Sequence, residues 1–188
     1  MPGNMGAKPA AQMNAGETAN SRQIAVIKND MLVNLLKIKD VSPLLDKMRR
    51  EGIIIRRANP WEISLVKEFV LKEFTVGWAD EISVGYTRQP VSVFIAIKQQ
   101  KVVGFAAYEC TRRNYFGPTG VANSERNKGI GKVLLLAALH GLREMGYTYG
   151  IIGSAESPEF YAKAVGAVEI EGSLPGIYTD LIGQVGSI

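Results

Sequence analysis

The sequence predicts an α+β domain in which helices flank a mixed β-sheet, and three observations carry that expectation. Residues 91–98 and 102–110 are two strand-like runs joined by Gln99, Gln100 and Lys101, a polar link of hairpin length. Residues 115–121 read as a further strand that leads through a glycine-containing loop into residues 129–145. There Ile130, Val133, Leu134, Ala137 and Ala138 recur at helical spacing until Gly146 stops the pattern. Strand and helix patterns succeed one another with no internal repeat.

Along the chain, residues 31–38 are apolar with a mixed period, which leaves strand and short helix both open. Ser42 before Pro43 is a helix start, Leu44, Leu45 and Met48 supply its apolar face, and Gly52 its stop. Residues 53–57 are β-branched and predict a strand. Asn59, Pro60 and Glu62 then repeat the start signal with a reciprocal capping acid, and Ile63, Val66, Val70 and Phe74 mark a buried helix face. Residues 76–89 hold Trp78, Asp80, Glu81 and Tyr86 without a clean period, which suits an irregular helix or loop beside a pocket. Gly117, Pro118 and Gly120 interrupt the strand at 115–121, and backbone groups freed there are expected to face a ligand. Residues 147–153 predict a strand, 158–165 a short helix, and 167–170 with 177–181 the closing strands.

The chain has 188 residues and is 46% hydrophobic, enough for one sizeable core. We expect a leader over 1–22 and a single domain over 23–188, with 23–52 as an N-terminal extension. The longest apolar run, 133–139, is far short of the roughly 20 residues of a membrane span. The lone Cys110 forms no intramolecular disulfide, which points to a reducing, cytoplasmic compartment, and no metal is expected. A net charge of +4, with basic and acidic residues interspersed, argues against a nucleic-acid surface.

Chemistry concentrates in Arg126-Asn127-Lys128-Gly129-Ile130-Gly131-Lys132, between a strand and the start of the longest helix. Such a junction presents unpaired N–H groups at the positive end of a helix dipole, a ready anion site. Glycine at 129 and 131 lets phosphate oxygens approach the amides, while Arg126, Lys128 and Lys132 add positive charge. The P-loop pattern is absent, and so is the three-glycine dinucleotide fingerprint.

Residues 121–131 resemble the cofactor loop of the GNAT superfamily of acyl-CoA-dependent N-acetyltransferases, whose Arg/Gln-x-x-Gly-x-Gly/Ala signature is met at Arg126, Gly129 and Gly131. A second family motif follows as Phe160-Tyr161-Ala162-Lys163 before Gly166-Ala167, one residue longer than the usual form, and Ser154 stands where many members carry Asn. The element order over 53–181 agrees, so the resemblance covers roughly two thirds of the chain.

The resemblance implies a mostly antiparallel αβα fold with a cleft between splayed central strands, acetyl-CoA as cosubstrate, and direct transfer to a primary amine. It implies cofactor contacts from Thr119, Val121, Ser154 and the loop residues Arg126, Asn127, Lys128, Gly129, Ile130, Gly131 and Lys132. Tyr161 is the expected general acid, because a phenol of pKa about 10 holds its proton at neutral pH and shares it with a thiolate of pKa about 8.5. Glu109, at a central strand end, leads the candidate bases ahead of Asp80, Glu81 and Glu156, and Trp78 and Tyr86 are candidates for shaping the acceptor pocket. His140, alone in mid-helix, is read as structural. The expected partner is a small-molecule or peptide amine; neither nucleic acid nor membrane is expected, and a homodimer is left open. A non-catalytic acyl-CoA sensor of the same fold is the alternative.

Overall fold

A computed structural model describes residues 27–179 and 182, so the expected leader at 1–22 lies outside the described residues. Twelve main elements follow in order: β1 (Met31–Asn34), α1 (Ser42–Arg50), β2 (Ile53–Arg57), α2 (Ile63–Glu73), α3 (Val76–Gly85), β3 (Val93–Lys98), β4 (Lys101–Tyr108), β5 (Tyr115–Val121), α4 (Ile130–Glu144), β6 (Tyr149–Ile152), α5 (Pro158–Val165) and β7 (Val168–Glu169). The strands form one sheet in the order β2-β3-β4-β5-β6-β1-β7. All neighbours are antiparallel except β5 and β6, which run parallel.

The sheet divides two apolar layers because successive side chains of a strand point to opposite faces. On one face Ala96, Ala106 and Tyr108 pack with α4 and with Met31 and Val33 of β1. On the other, Val93, Ile95, Phe105 and Ala107 pack under α2 and α3 with Val66, Val70, Ala79 and Ile82. The α4 helix contributes Leu134, Leu135, Leu136, Leu139 and Leu142, all fully buried. Each such leucine adds about 1.5–3 kcal/mol over an exposed one.

One turn before its end α4 meets the sheet at Gly141, where a Cβ would stand 2.6–2.7 Å from the Tyr108 ring. That ring cannot retreat. Its hydroxyl accepts from Arg57, whose guanidinium lies 4.7 Å from the Phe94 centroid and donates to Glu144 Oε2 at 2.8 Å. Gly141→Ala is therefore expected to destabilise despite alanine's better helix propensity, because overpacking of about 1–3 kcal/mol outweighs a gain of about 1. Thermal unfolding followed by circular dichroism should show a Tm lowered by about 2–8 °C.

The start of α2 follows the sequence expectation closely. Glu62 Oε2 accepts the Asn59 N–H at 2.6 Å, and Arg56 grips the same carboxylate with both terminal nitrogens, at 2.8 and 2.6 Å. The Arg56 hydrogen bonds, helped by the Asn59 amide and opposed by burial, lower the Glu62 carboxyl from 4.5 to about 2. A lowered native pKa stabilises the fold above the unfolded value and loses that contribution as pH falls. Chemical denaturation should thus show a stability gap between wild type and Glu62→Gln at neutral pH that closes as pH drops from 4.5 through 2.

Three expectations are revised. Residues 31–38, left open, hold strand β1, which sits between β6 and β7 through the registers Met31↔Ile152 and Met31↔Glu169. Within the segment read as an N-terminal extension, residues 31–34 thus form an interior strand of the sheet. The closing strand expected at 177–181 is not formed over 177–179, and 180–181 lie outside the described residues. The strand beside β6 is β1, whose Met31 and Val33 are buried in the layer that holds α4. Finally, Val41 caps α1 in place of Ser42, whose N–H instead bonds Asp40 Oδ1 at 3.0 Å.

Candidate active site

Strands β5 and β6 pair only at Tyr115↔Ile151 and Phe116↔Ile152, then part. The gap opens a cleft of about 1110 Å³, bordered by β5 from Tyr115 to Val121 on one side and by Ile152, Gly153 and Ser154 on the other. It crosses the sheet: Tyr161 and Lys132 line it from the α4 face, Trp78 and Glu81 from the α3 face.

At the far end of β5 the chain turns into α4. Asn127 and Gly129 adopt left-handed backbone, with φ of 62° and 82°. Gly129 is the helix N-cap, with open space where a Cβ would be. Among the described residues the N–H groups of 127–132 have no backbone acceptor, so they gather unpaired at the N-terminus of a fifteen-residue helix. Alternating left-handed turns of this kind form a concavity for anions. Arg126, Gly129, Gly131 and Lys132 line the cleft there, and Arg126 Nε donates to the Val121 carbonyl at 3.3 Å.

Tyr161 faces this cleft from α5, edge-on to Phe116 at 6.3 Å between ring centroids and to Phe160 at 5.2 Å. Burial, reinforced by the charge of Glu156, pushes its hydroxyl up to about 12. It therefore holds its proton throughout the neutral range.

The Acetyltransferase (GNAT) family model matches residues 57–167, more than half of the chain. This protein belongs to the GNAT acetyltransferase family. No curated protein matches it. Among solved structures, the GCN5-related glucosamine N-acetyltransferase region of a fungal multi-domain GH3 β-N-acetylglucosaminidase is similar at 17% identity and a TM-score of 0.62, over 78% of this chain and 20% of that one. A GCN5-related N-acetyltransferase from Sphaerobacter thermophilus is similar at 17% identity and a TM-score of 0.58, over 76% of this chain and 48% of its own. This chain thus spans less than half the length of either, and at such identity the likeness shows the fold alone.

Set on the GNAT fold, most of the expected cofactor residues meet. Thr119, Val121, Arg126, Asn127, Gly129, Ile130, Gly131, Lys132 and Ser154 all border the cleft. Lys128 does not. Its ammonium turns back to Glu125 Oε2 at 2.9 Å and the Ser124 carbonyl at 3.1 Å, and with Lys98 it holds the Glu125 carboxyl below the usual range. The Thr119 hydroxyl is likewise engaged, donating to the Phe105 carbonyl at 3.0 Å, which leaves its main chain for a ligand.

Glu109 is not brought to the cleft. β4 ends one residue earlier, and a φ of 58° turns Glu109 inward, where it is 1% exposed and one carboxylate oxygen accepts the Asn114 N–H. Of the other acids, Asp80 is exposed on α3 and pairs with Lys67 at 3.6 Å, while Glu81 and Glu156 line the cleft. Trp78 lines it too, but Tyr86 is absent from the lining. His140 bonds the Lys39 carbonyl at 2.9 Å, away from the site.

Sequence reasoning missed Asp30. Buried at 6% exposure, its Oδ1 accepts the Ser154 N–H at 2.8 Å and its Oδ2 the Tyr115 hydroxyl at 3.1 Å, so it ties together the two strands where they part. Its own N–H donates to Ser173 Oγ at 2.8 Å. Partners more than 80 residues away leave no local pattern for a reader to find.

Proposed function

We propose that this GNAT protein is an N-acetyltransferase that moves the acetyl group of acetyl-CoA directly onto a primary amine. The observation that supports it most is the parted β5/β6 cleft, which sets a protonated tyrosine between an anion-binding helix start and an opening to the other face of the sheet. The amides of residues 127–132, with Arg126 and Lys132, take the diphosphate, and the pantetheine lies along β5. The Val121 N–H is assigned to the thioester carbonyl, where a fixed donor stabilises the oxyanion as charge develops. Tyr161 donates its hydrogen bond to the departing sulfur.

The chain's one cysteine, Cys110, fits a reducing, cytoplasmic setting, and burial pushes its thiol up to about 11. Among the described residues no helix is long and apolar enough to cross a membrane.

Calorimetric titration with acetyl-CoA tests the reading, with 3'-dephospho-CoA and ATP as controls. Selective binding of acetyl-CoA followed by thiol release in the presence of an amine is the expected result. Binding without turnover of any amine would instead describe a sensor on the same fold, and no binding removes the reading altogether.

A further inference from the structure

We propose that Asp30 is a positioning residue for the cleft: it holds Ser154 in a left-handed backbone conformation and so sets the wall, at the end of β6, against which acetyl-CoA binds. This rests on the acetyl-transfer reading above and adds to it a residue from outside the stretch that matches the family, 57–167.

β6 ends at Ile152, and the chain turns out of the sheet beside the gap that β5 leaves open. The turn is made at Ser154, whose φ of 43° is a value that a residue with a side chain adopts only at a cost in free energy. Glycine would take that conformation freely. A serine keeps it where its surroundings over-determine it, and here three consecutive residues ahead of β1 grip the turn. The Lys28 N–H donates to Ser154 Oγ at 3.1 Å, the Ala155 N–H donates to the Asn29 carbonyl at 3.2 Å, and the Ser154 N–H donates to Asp30 Oδ1 at 2.8 Å.

Of the three, Asp30 is the most firmly placed. Its Oδ2 accepts the Tyr115 hydroxyl at 3.1 Å, its N–H donates to Ser173 Oγ at 2.8 Å, and its carbonyl accepts the Ile170 N–H at 2.8 Å. Partners from β5, from the end of β6 and from the segment after β7 thus fix one buried carboxylate from four sides. The neighbouring position is seated as closely: a Cβ on Gly153 would stand 3.0 Å from the Tyr115 ring and 2.9 Å from the Tyr178 hydroxyl.

The consequence falls on the cleft, which Gly153 and Ser154 line opposite β5. With its Oγ accepting from Lys28 and its N–H committed to Asp30, Ser154 offers a ligand its hydroxyl hydrogen. That donor suits an acceptor such as an amide carbonyl of the pantetheine arm, and its direction is set by the turn. Without the Asp30 carboxylate the Ser154 N–H loses its acceptor, nothing opposes the strain at φ 43°, and the residue relaxes toward ordinary backbone, carrying the hydroxyl away from the cleft.

Calorimetric titration of acetyl-CoA into the full chain tests this through a double-mutant cycle, run well below the melting temperature of each variant. Asp30→Ala is expected to weaken binding about 10- to 100-fold, and Asp30→Asn, whose carbonyl can still accept the Ser154 N–H, to recover most of that loss. On a Ser154→Gly background the same Asp30→Ala change should cost less than about 3-fold, because glycine holds a left-handed turn unaided. A merely structural role would lower the melting temperature in both backgrounds and leave no such coupling in affinity. Should Asp30→Ala fail to fold, Asp30→Ser, one bond shorter than the native side chain, carries the same cycle. Unchanged affinity in the Asp30 variant overturns the proposal, and so does an equal loss in the two backgrounds. Wild-type protein that fails to bind acetyl-CoA removes the underlying reading instead, which separates the two failures.

Discussion

Replacing Gly129 by glutamate is expected to abolish acetyl-CoA binding, a loss of at least about 100-fold, or about 3 kcal/mol, in a calorimetric titration. Two effects add. Gly129 holds a φ of 82°, a conformation that costs a side-chain-bearing residue about 1–2 kcal/mol, so the loop would shift away from the shape that gathers its amides. The new carboxylate would also stand at the N-terminus of α4, where the diphosphate and the unpaired N–H groups should meet, and would satisfy those donors itself. Because no atom lies within 4 Å of the added Cβ, the rest of the protein should remain folded, and an unchanged melting temperature is the control. Gly129→Ala carries the strain without the charge and should lose distinctly less. Unchanged affinity in the glutamate variant removes the loop from the cofactor site.

Tyr161→Phe is expected to lower kcat about 100- to 1000-fold while acetyl-CoA binds as before. The ring stays, and with it the edge-on contacts to Phe116 and Phe160 that seat α5 against the sheet. Only the hydroxyl is lost, and with it the donor for a sulfur that gains charge as the C–S bond breaks. Since burial holds that hydroxyl near 12, its ionisation should leave no alkaline limb in the wild-type rate below about pH 11. A kcat unchanged in the phenylalanine variant assigns the leaving-group proton elsewhere.

How much could be read in advance depended on how local the determining contacts were. The turn at 126–132 and α4 were legible as local structure because one contiguous stretch carries the strand, the turn glycines and a helical apolar face. The Lys128 ammonium turns from the cleft, which charge alone could not foretell, since Glu125 lies three positions back on the same turn. Glu109 was favoured for its place at a strand end, yet a single left-handed residue reversed its direction. Trp78 and Glu81 were read beside a pocket and both line the cleft, but only the fold sets Glu81 across from Thr111. β1 was ambiguous because four apolar residues suit strand or helix alike, and its partners lie more than 110 positions away.

That distant partnership has a consequence for how the protein is made. Asn29 and Glu169, which hydrogen-bond across the β1/β7 edge, are 140 positions apart. A ribosome delivers β1 long before either strand that will flank it, so an apolar ribbon waits unpaired while nearly the whole domain is translated. The last strands to emerge must then close around the first, and the cleft acquires its Asp30 clasp only at that final moment.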